Sequence, residues 1–168
     1  MIYVKRNGVD VARGSGFAYG DYIITAKHVT DAGDSFVVFP DGSNNGFYTS
    51  LVPVDSNLDV SVLKISKELP SVTLCNSDSL KEGEKLVSIT SPKGVQNTID
   101  ECFYNGIANY GNGNYLQISE SNTDNGSSGG AVFDTSGELV GMVIKGASVG
   151  NSALIPINEL KPILEQLK

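Results

Sequence analysis

Along most of the chain apolar residues either alternate with polar ones or gather in short β-branched runs, with turn-forming residues between them. A period of two marks strands that bury one face. It predicts strands over residues 2–6, 14–20, 22–26, 35–40, 47–55 and 59–65, and a second set over 72–75, 85–90, 99–110, 114–120, 131–133, 139–146 and 153–157. The breaks between them are "YGD", "PDGSNNG", "SPKG", "YGNGN" and "DTSG". Their glycines tolerate left-handed backbone, and their Asn and Asp side chains bond to nearby main chain.

Only the last stretch changes period. In "NELKPILEQLK" (158–168), Leu160, Ile163, Leu164 and Leu167 fall on one helical face. Asn158 is the expected N-cap and Glu159 suits the first turn. Pro162 stands early, where a missing N–H costs little. The expected seam is "SKELPS" (66–71), with six strand candidates before it and about as many after. The pattern therefore predicts an all-β chain of two small barrels, residues 1–68 and 69–168, closed by a C-terminal helix.

Length and composition sharpen this picture. A chain of 168 residues is long enough to bury a core without a disulfide or metal staple. Its 19 glycines fit a turn-rich β protein. The net charge of −7 repels phosphate backbones, so no nucleic-acid partner is expected. One histidine cannot complete a zinc site with the distant Cys75 and Cys102, so neither a metal nor a cofactor is expected. Free buried thiols are the simplest reading of the two cysteines, and a disulfide between them stays open. No run approaches the ~20 apolar residues of a membrane span. The start, "MIYVKRNGVDVARGSGF", holds no apolar stretch suited to a signal peptide, which predicts a cytoplasmic protein unless a targeting segment has been lost.

Three segments carry candidate chemistry. His28, the sole histidine, ends the apolar strand of "YIITAKHVT". A lone histidine beside apolar residues is commonly a packed or surface group, yet any general base of this type must be His28. "NGSSGG" (125–130) reads either as a flexible turn or as the frame G-x-S-G-G, which selects Ser128 over Ser127. A nucleophilic serine must stand clear of its backbone, and N–H groups around it must converge on an oxyanion. Gly126 tolerates the dihedrals this requires. A carboxylate that orients the histidine would complete the set. "SNLDVSVLKI" offers Asp59, with Asp55 as a rival.

Together these segments resemble the chymotrypsin-like (trypsin-fold) serine proteases, most of all the bacterial high-temperature-requirement, or HtrA-type, branch. "GSGFAYGDYIITAKHV" is similar to that branch's strand leading into its histidine segment, and "DVSVLKI" to its aspartate strand. "DSLKEGE" before a strand, "NTDNGSSGGAVFDTSGELVGMVIKG" and "IPINELKPILEQLK" resemble its second half in the same order. The resemblance implies two antiparallel six-stranded β-barrels with the site between them. It implies a serine endopeptidase with His28, Asp59 and Ser128 as triad, Gly126 and Ser128 N–H groups as oxyanion hole, and activity rising with pH about a midpoint near 7. It implies a polypeptide substrate bound as an extended strand, with Asn122 at the base of the pocket for the residue before the cut. Ile144, Lys145 and Gly146 would form the wall that pairs with the substrate, and residues 151–153 the opposite side. No carboxylate falls at the pocket base, which implies an uncharged small or medium residue there.

The sequence also departs from that branch. Asn125 and Ser127 replace its usual Pro and Asn, and the chain ends where the branch continues into a peptide-binding PDZ domain. Ser127 also stands where secreted relatives carry the Asp that pairs with a new N-terminus, so activation of that kind is not expected. The alternative reading is a protease-fold peptide-binding module with weak or no catalysis.

Overall fold

The computed structural model describes residues 1–40, 43–109, 113–119, 127–148 and 151–167. In chain order the first elements are β1 (Ile2–Arg6), β2 (Val9–Gly14), β3 (Phe17–Tyr19), β4 (Tyr22–Thr25), α1 (Lys27–Thr30), β5 (Ser35–Val38), β6 (Phe47–Tyr48), β7 (Ser50–Val52) and β8 (Ser61–Lys64). Then follow β9 (Thr73–Leu74), β10 (Lys85–Thr90), β11 (Thr98–Asn109), β12 (Asn114–Ser119), β13 (Ala131–Asp134), β14 (Glu138–Ser148), β15 (Asn151–Pro156) and α2 (Ile157–Glu165).

The strands before residue 65 form two four-stranded sheets, β2-β1-β5-β6 and β3-β4-β8-β7. The chain crosses between them three times, once through α1 from β4 to β5 and twice at corners, and both corners fall where a single strand is expected from the pattern. The predicted strand 14–20 breaks at Gly14-Ser15-Gly16, between β2 and β3. A Cβ at Gly14 would come within 2.5 Å of the Val29 side chain, and one at Gly16 within 2.8 Å of the Ile24 carbonyl. The predicted strand 47–55 breaks at Thr49, whose N–H and hydroxyl both donate to the Phe36 carbonyl, at 3.2 and 3.1 Å. At each corner the inward-facing parity flips, from even to odd positions past Gly14 and from odd to even past Ser50. β2 has its own signal in Asn7-Gly8, a two-residue turn with φ of 53° and 82°.

The strands after residue 72 close on themselves. They run β13-β10-β11-β12-β15-β14, and β13 pairs again with β14, so six antiparallel strands complete a barrel. β9 adds to its rim as a short parallel strand on β14. The fold is all-β with one closed six-stranded barrel and a short terminal helix. Of the two expected antiparallel six-stranded barrels, the second half forms one, while the strands of the first half form two four-stranded sheets.

One continuous apolar core joins both halves, from Ile2, Ile24, Val62 and Leu63 to Leu86, Ile118, Met142, Leu154 and Ile155. Helix α2 buries Ile157, Leu160, Ile163 and Leu164 against β14 and β15. Each such side chain withdrawn from water stabilises the fold by about 1.5–3 kcal/mol. Asn158 is not the N-cap. Pro156 holds that position, and the Asn158 side chain instead accepts the Ser77 N–H at 3.2 Å and donates to Asn76 at 2.9 Å, tying the helix to a 3₁₀ turn at Ser77–Ser79.

Candidate active site

The antiparallel pairing of β4 with β8 sets Thr25 opposite Ser61. Residues just past the end of β4 and just before the start of β8 therefore emerge at the same end of that sheet. His28 lies three positions beyond Thr25, on the single turn α1, and Asp59 two before Ser61. Thr30 of α1 donates to the Ser61 hydroxyl at 3.0 Å, which fastens the turn to β8. The Val60 N–H bonds to the Leu58 carbonyl at 2.8 Å, closing a tight three-residue turn with Asp59 at its centre.

This local geometry aims the Asp59 carboxylate at His28 through both oxygens. Oδ1 accepts the His28 main-chain N–H at 2.9 Å, and Oδ2 lies 2.6 Å from ring Nδ1. Two contacts from one rigid group fix the ring's position and leave Nε2 as the nitrogen not held by the carboxylate. The bond to Asp59 raises the His28 pKa above 6.5, and partial burial only reduces that rise. Burial pushes the Asp59 carboxyl upward, but bonds from the His28 ring and from the main chain at residues 27 and 28 outweigh it and hold the pKa below its ordinary value. Asp55, the rival carboxylate, is exposed and has no such contact with His28 among the described residues.

The two serines of "NGSSGG" occupy different surroundings. Ser127 is buried at 1% exposure, with its hydroxyl 3.4 Å from that of Thr90, so no substrate can reach it without local opening. Ser128 is half-buried, and its hydroxyl donates to the Ile144 carbonyl at 3.3 Å. That carbonyl belongs to a bulge. Val143 pairs with Leu154 and Lys145 with Ala153, so Ile144 has no partner across the ladder. Bulges next to active sites commonly re-aim a strand in this way.

Buried polar bonds join the Ser128 turn to the histidine segment. The Ser15 N–H donates to the Ser128 carbonyl at 2.9 Å, while the Ser15 carbonyl accepts the Thr25 hydroxyl at 2.6 Å. Gly129 has φ of +88°, and a Cβ there would overlap the Ser15 carbonyl and the Thr25 hydroxyl. The glycine after Ser128 thus lies directly against the strand end that leads to His28. Motif reading missed Ser15 and Thr25. The visible trace was a serine fenced by two glycines in "GSGF", whose backbone must approach another chain segment closely.

Of the remaining sequence candidates, Gly126 and Asn122 lie outside the described residues. Lys145 and Gly146 continue β14, their backbones paired with Ala153 and Ser152. Cys75 and Cys102 are both free and buried. Burial pushes the Cys102 thiol up to about 12, and burial followed by the Asp134 charge also raises Cys75. Among the described residues, Cys75, Asp134 and Glu138 have ligand atoms within 4.8 Å of one another. Asp134 Oδ1 already accepts the Ser136 and Glu138 N–H groups at 2.9 Å, which is hairpin-turn chemistry, and the raised thiol disfavours the thiolate that a metal needs.

Comparison with known proteins extends this geometry. Relatives named probable periplasmic serine endoprotease DegP-like include one from Pseudomonas savastanoi pv. phaseolicola, 34% identical over 92% of this chain and 34% of its own length. Another, from Chlamydia trachomatis, is 30% identical over 94% of this chain and 34% of its own length. The chain thus spans about a third of the length of these relatives. Their names overturn the cytoplasmic expectation. A compartment is written in targeting segments rather than in the surface of a folded domain, so the polar start of this sequence was no guide to it. Among solved structures, the HtrA-type protease AlgW with decapeptide superposes with a TM-score of 0.82 at 25% identity, covering 91% of this chain and 50% of that one. The Rv3671c protease from M. tuberculosis in its active form shares the fold, with a TM-score of 0.84 at 19% identity over 98% of this chain and 78% of that one. Residues 14–142 match the trypsin-like peptidase domain family, and the chain belongs to that family.

Proposed function

We propose that the chain is a serine endopeptidase that cleaves peptide bonds through His28, Asp59 and Ser128. The observation that carries this is the double contact of Asp59 with His28, which commits Nδ1 to the carboxylate and leaves Nε2 to exchange a proton. His28 Nε2 takes the Ser128 hydroxyl proton as Oγ bonds to the substrate carbonyl carbon. The oxygen that gains negative charge is held by the N–H groups of Gly126 and Ser128, each such donor being worth about 10²–10³ in rate. The imidazolium then gives its proton to the amine as the C–N bond breaks. Water repeats the sequence on the acyl-enzyme and releases the acid. Asp59 stabilises the charged ring throughout and keeps its own proton off.

In this reading residues 1–68 supply the base and its partner, residues 69–168 supply the nucleophile, and the first half acts as the second barrel of the fold. The substrate lies extended along Ile144, Lys145 and Gly146, and Asn122 faces an uncharged side chain at the cut. The bound decapeptide of AlgW supports a peptide ligand, and the names of the relatives support a periplasmic or secreted location. Labelling by a fluorophosphonate tests the proposal: the native chain labels, Ser128→Ala does not, and Ser127→Ala does.

One observation favours a second reading, a peptide-binding module of the same fold. The Ser128 hydroxyl rests on the Ile144 carbonyl. If that contact persists with peptide bound, the hydroxyl stays unreactive, and the chain binds peptides without labelling.

A further inference from the structure

We infer that Ser15 and Thr25 are positioning residues that hold the Ser128 nucleophile in register with His28, an inference that rests on the proposed serine endopeptidase. Ser15 sits at the corner between two sheets and is 2% exposed. All three of its polar groups are committed to different segments. Its N–H donates to the Ser128 carbonyl at 2.9 Å, its carbonyl accepts the Thr25 hydroxyl at 2.6 Å, and its own hydroxyl accepts the Ser91 N–H at 2.8 Å. Ser91 follows β10, which pairs with β13 directly after the Ser128 turn. Thr25 is fully buried and is the last residue of β4, three before His28.

One residue therefore joins the base's strand to the nucleophile's turn and to the strand beside that turn. Gly129 makes the same junction from the other side, since only a residue without Cβ can lie against the Ser15 carbonyl and Thr25 hydroxyl. The covalent path from His28 to Ser128 is about a hundred residues long, so this bond set is the short mechanical path between them. Removing the Thr25 hydroxyl takes away the 2.6 Å bond that ties the Ser15 carbonyl to the end of β4 and loosens the corner. The Ser15 N–H and the Ser128 carbonyl move with it. A misplacement of about 1 Å can cost about 10²-fold in rate.

The test compares Thr25→Val, which keeps the shape and loses the hydroxyl, with Thr25→Ser, which keeps the hydroxyl. Fluorophosphonate labelling rate, kcat and KM on one peptide substrate, and the pH profile are measured for both. Thr25→Val is expected to lower labelling and kcat about 10- to 100-fold, with KM within about twofold of the native value. The acid limb of the pH profile should not move, because Asp59 sets it, and Thr25→Ser should recover most of the rate. If Thr25→Val does not fold, Thr25→Ala, which removes the same hydroxyl bond to the Ser15 carbonyl, is read in its place against the same expectation. Native labelling rate in the tested variant, loss lying in KM, or no recovery in Thr25→Ser would overturn the inference while leaving the endopeptidase standing. A native chain that never labels would overturn both.

Discussion

Replacing Asp59 by Asn keeps the shape of the side chain and changes only what faces His28. In the native site one oxygen accepts the main-chain N–H at 2.9 Å and the other meets Nδ1 at 2.6 Å. An asparagine can still accept the main-chain N–H, but its NH₂ then points at Nδ1. Two N–H groups cannot face each other at that distance, so the ring must carry its proton on Nε2. A histidine in that tautomer has no lone pair where the Ser128 proton must go. The expected loss is about 10⁴ in kcat, equivalent to about 5 kcal/mol of transition-state stabilisation. KM should change little, because Asp59 touches the ring and not the substrate. The raised His28 pKa also loses its main cause, so the acid limb of the residual activity should move toward lower pH. Steady-state kinetics on one peptide substrate across the neutral range read all three effects. An Asn variant within tenfold of native kcat, or one whose acid limb stays in place, would show that Asp59 does not set the state of His28.

Other expectations follow from the same contacts. Gly129→Ala puts a methyl group onto the Ser15 carbonyl and Thr25 hydroxyl at a φ of +88°, so it should cost several kcal/mol of stability (overpacking alone costs about 1–3) and abolish labelling, as read by thermal melts and fluorophosphonate. The His28–Asp59 pair stabilises the fold while the carboxylate is ionised and the ring protonated. Its contribution should be greatest between about pH 4 and 6.5, fading as pH rises through the raised His28 pKa or falls through the lowered Asp59 pKa, so the melting-temperature gap between native and Asp59→Ala should narrow at pH 9. Cys75 and Cys102 should resist a thiol reagent in the native state and react together on unfolding; rapid native reaction of Cys102 would contradict its burial. Leu160→Ala should destabilise by about 2–5 kcal/mol in denaturant titration while the folded enzyme keeps its kcat, since Leu160 packs α2 on β14 and β15 and has no contact with His28, Asp59 or Ser128 among the described hydrogen bonds.

Strand positions were legible because a one-sided sheet writes its period of two directly into the chain, as in β10, whose exposure alternates residue by residue along "KLVSIT". The corners at Ser15 and Thr49 were not, because the buried side switches parity there within one or two residues, too short a break to stand out in the sequence. Proline at 156 displaced Asn158 from the cap of α2 because its φ suits the entry to a helix and Asn158 found better partners in Ser77 and Asn76. The candidate site was legible where chemistry is scarce. A single histidine and a serine framed by glycines leave few alternatives, and the choice between Ser127 and Ser128 agrees with burial of the first. What sequence could not convey is the polar junction of Ser15, Thr25 and Ser91, because those residues are commonplace and acquire meaning only when distant segments meet.

The central claim is that the Ser128 oxygen forms a covalent bond to the acyl group of a substrate. It is tested most directly by mixing the chain with an activated acetate ester, quenching with acid, and locating the added mass by peptide mapping. The account predicts one acetyl group on Ser128 and none on Ser127, with the adduct lost when the native chain is returned to neutral pH and no Ser128 adduct formed by His28→Ala. An intact mass without acetyl, or acetyl confined to surface lysines, would contradict it.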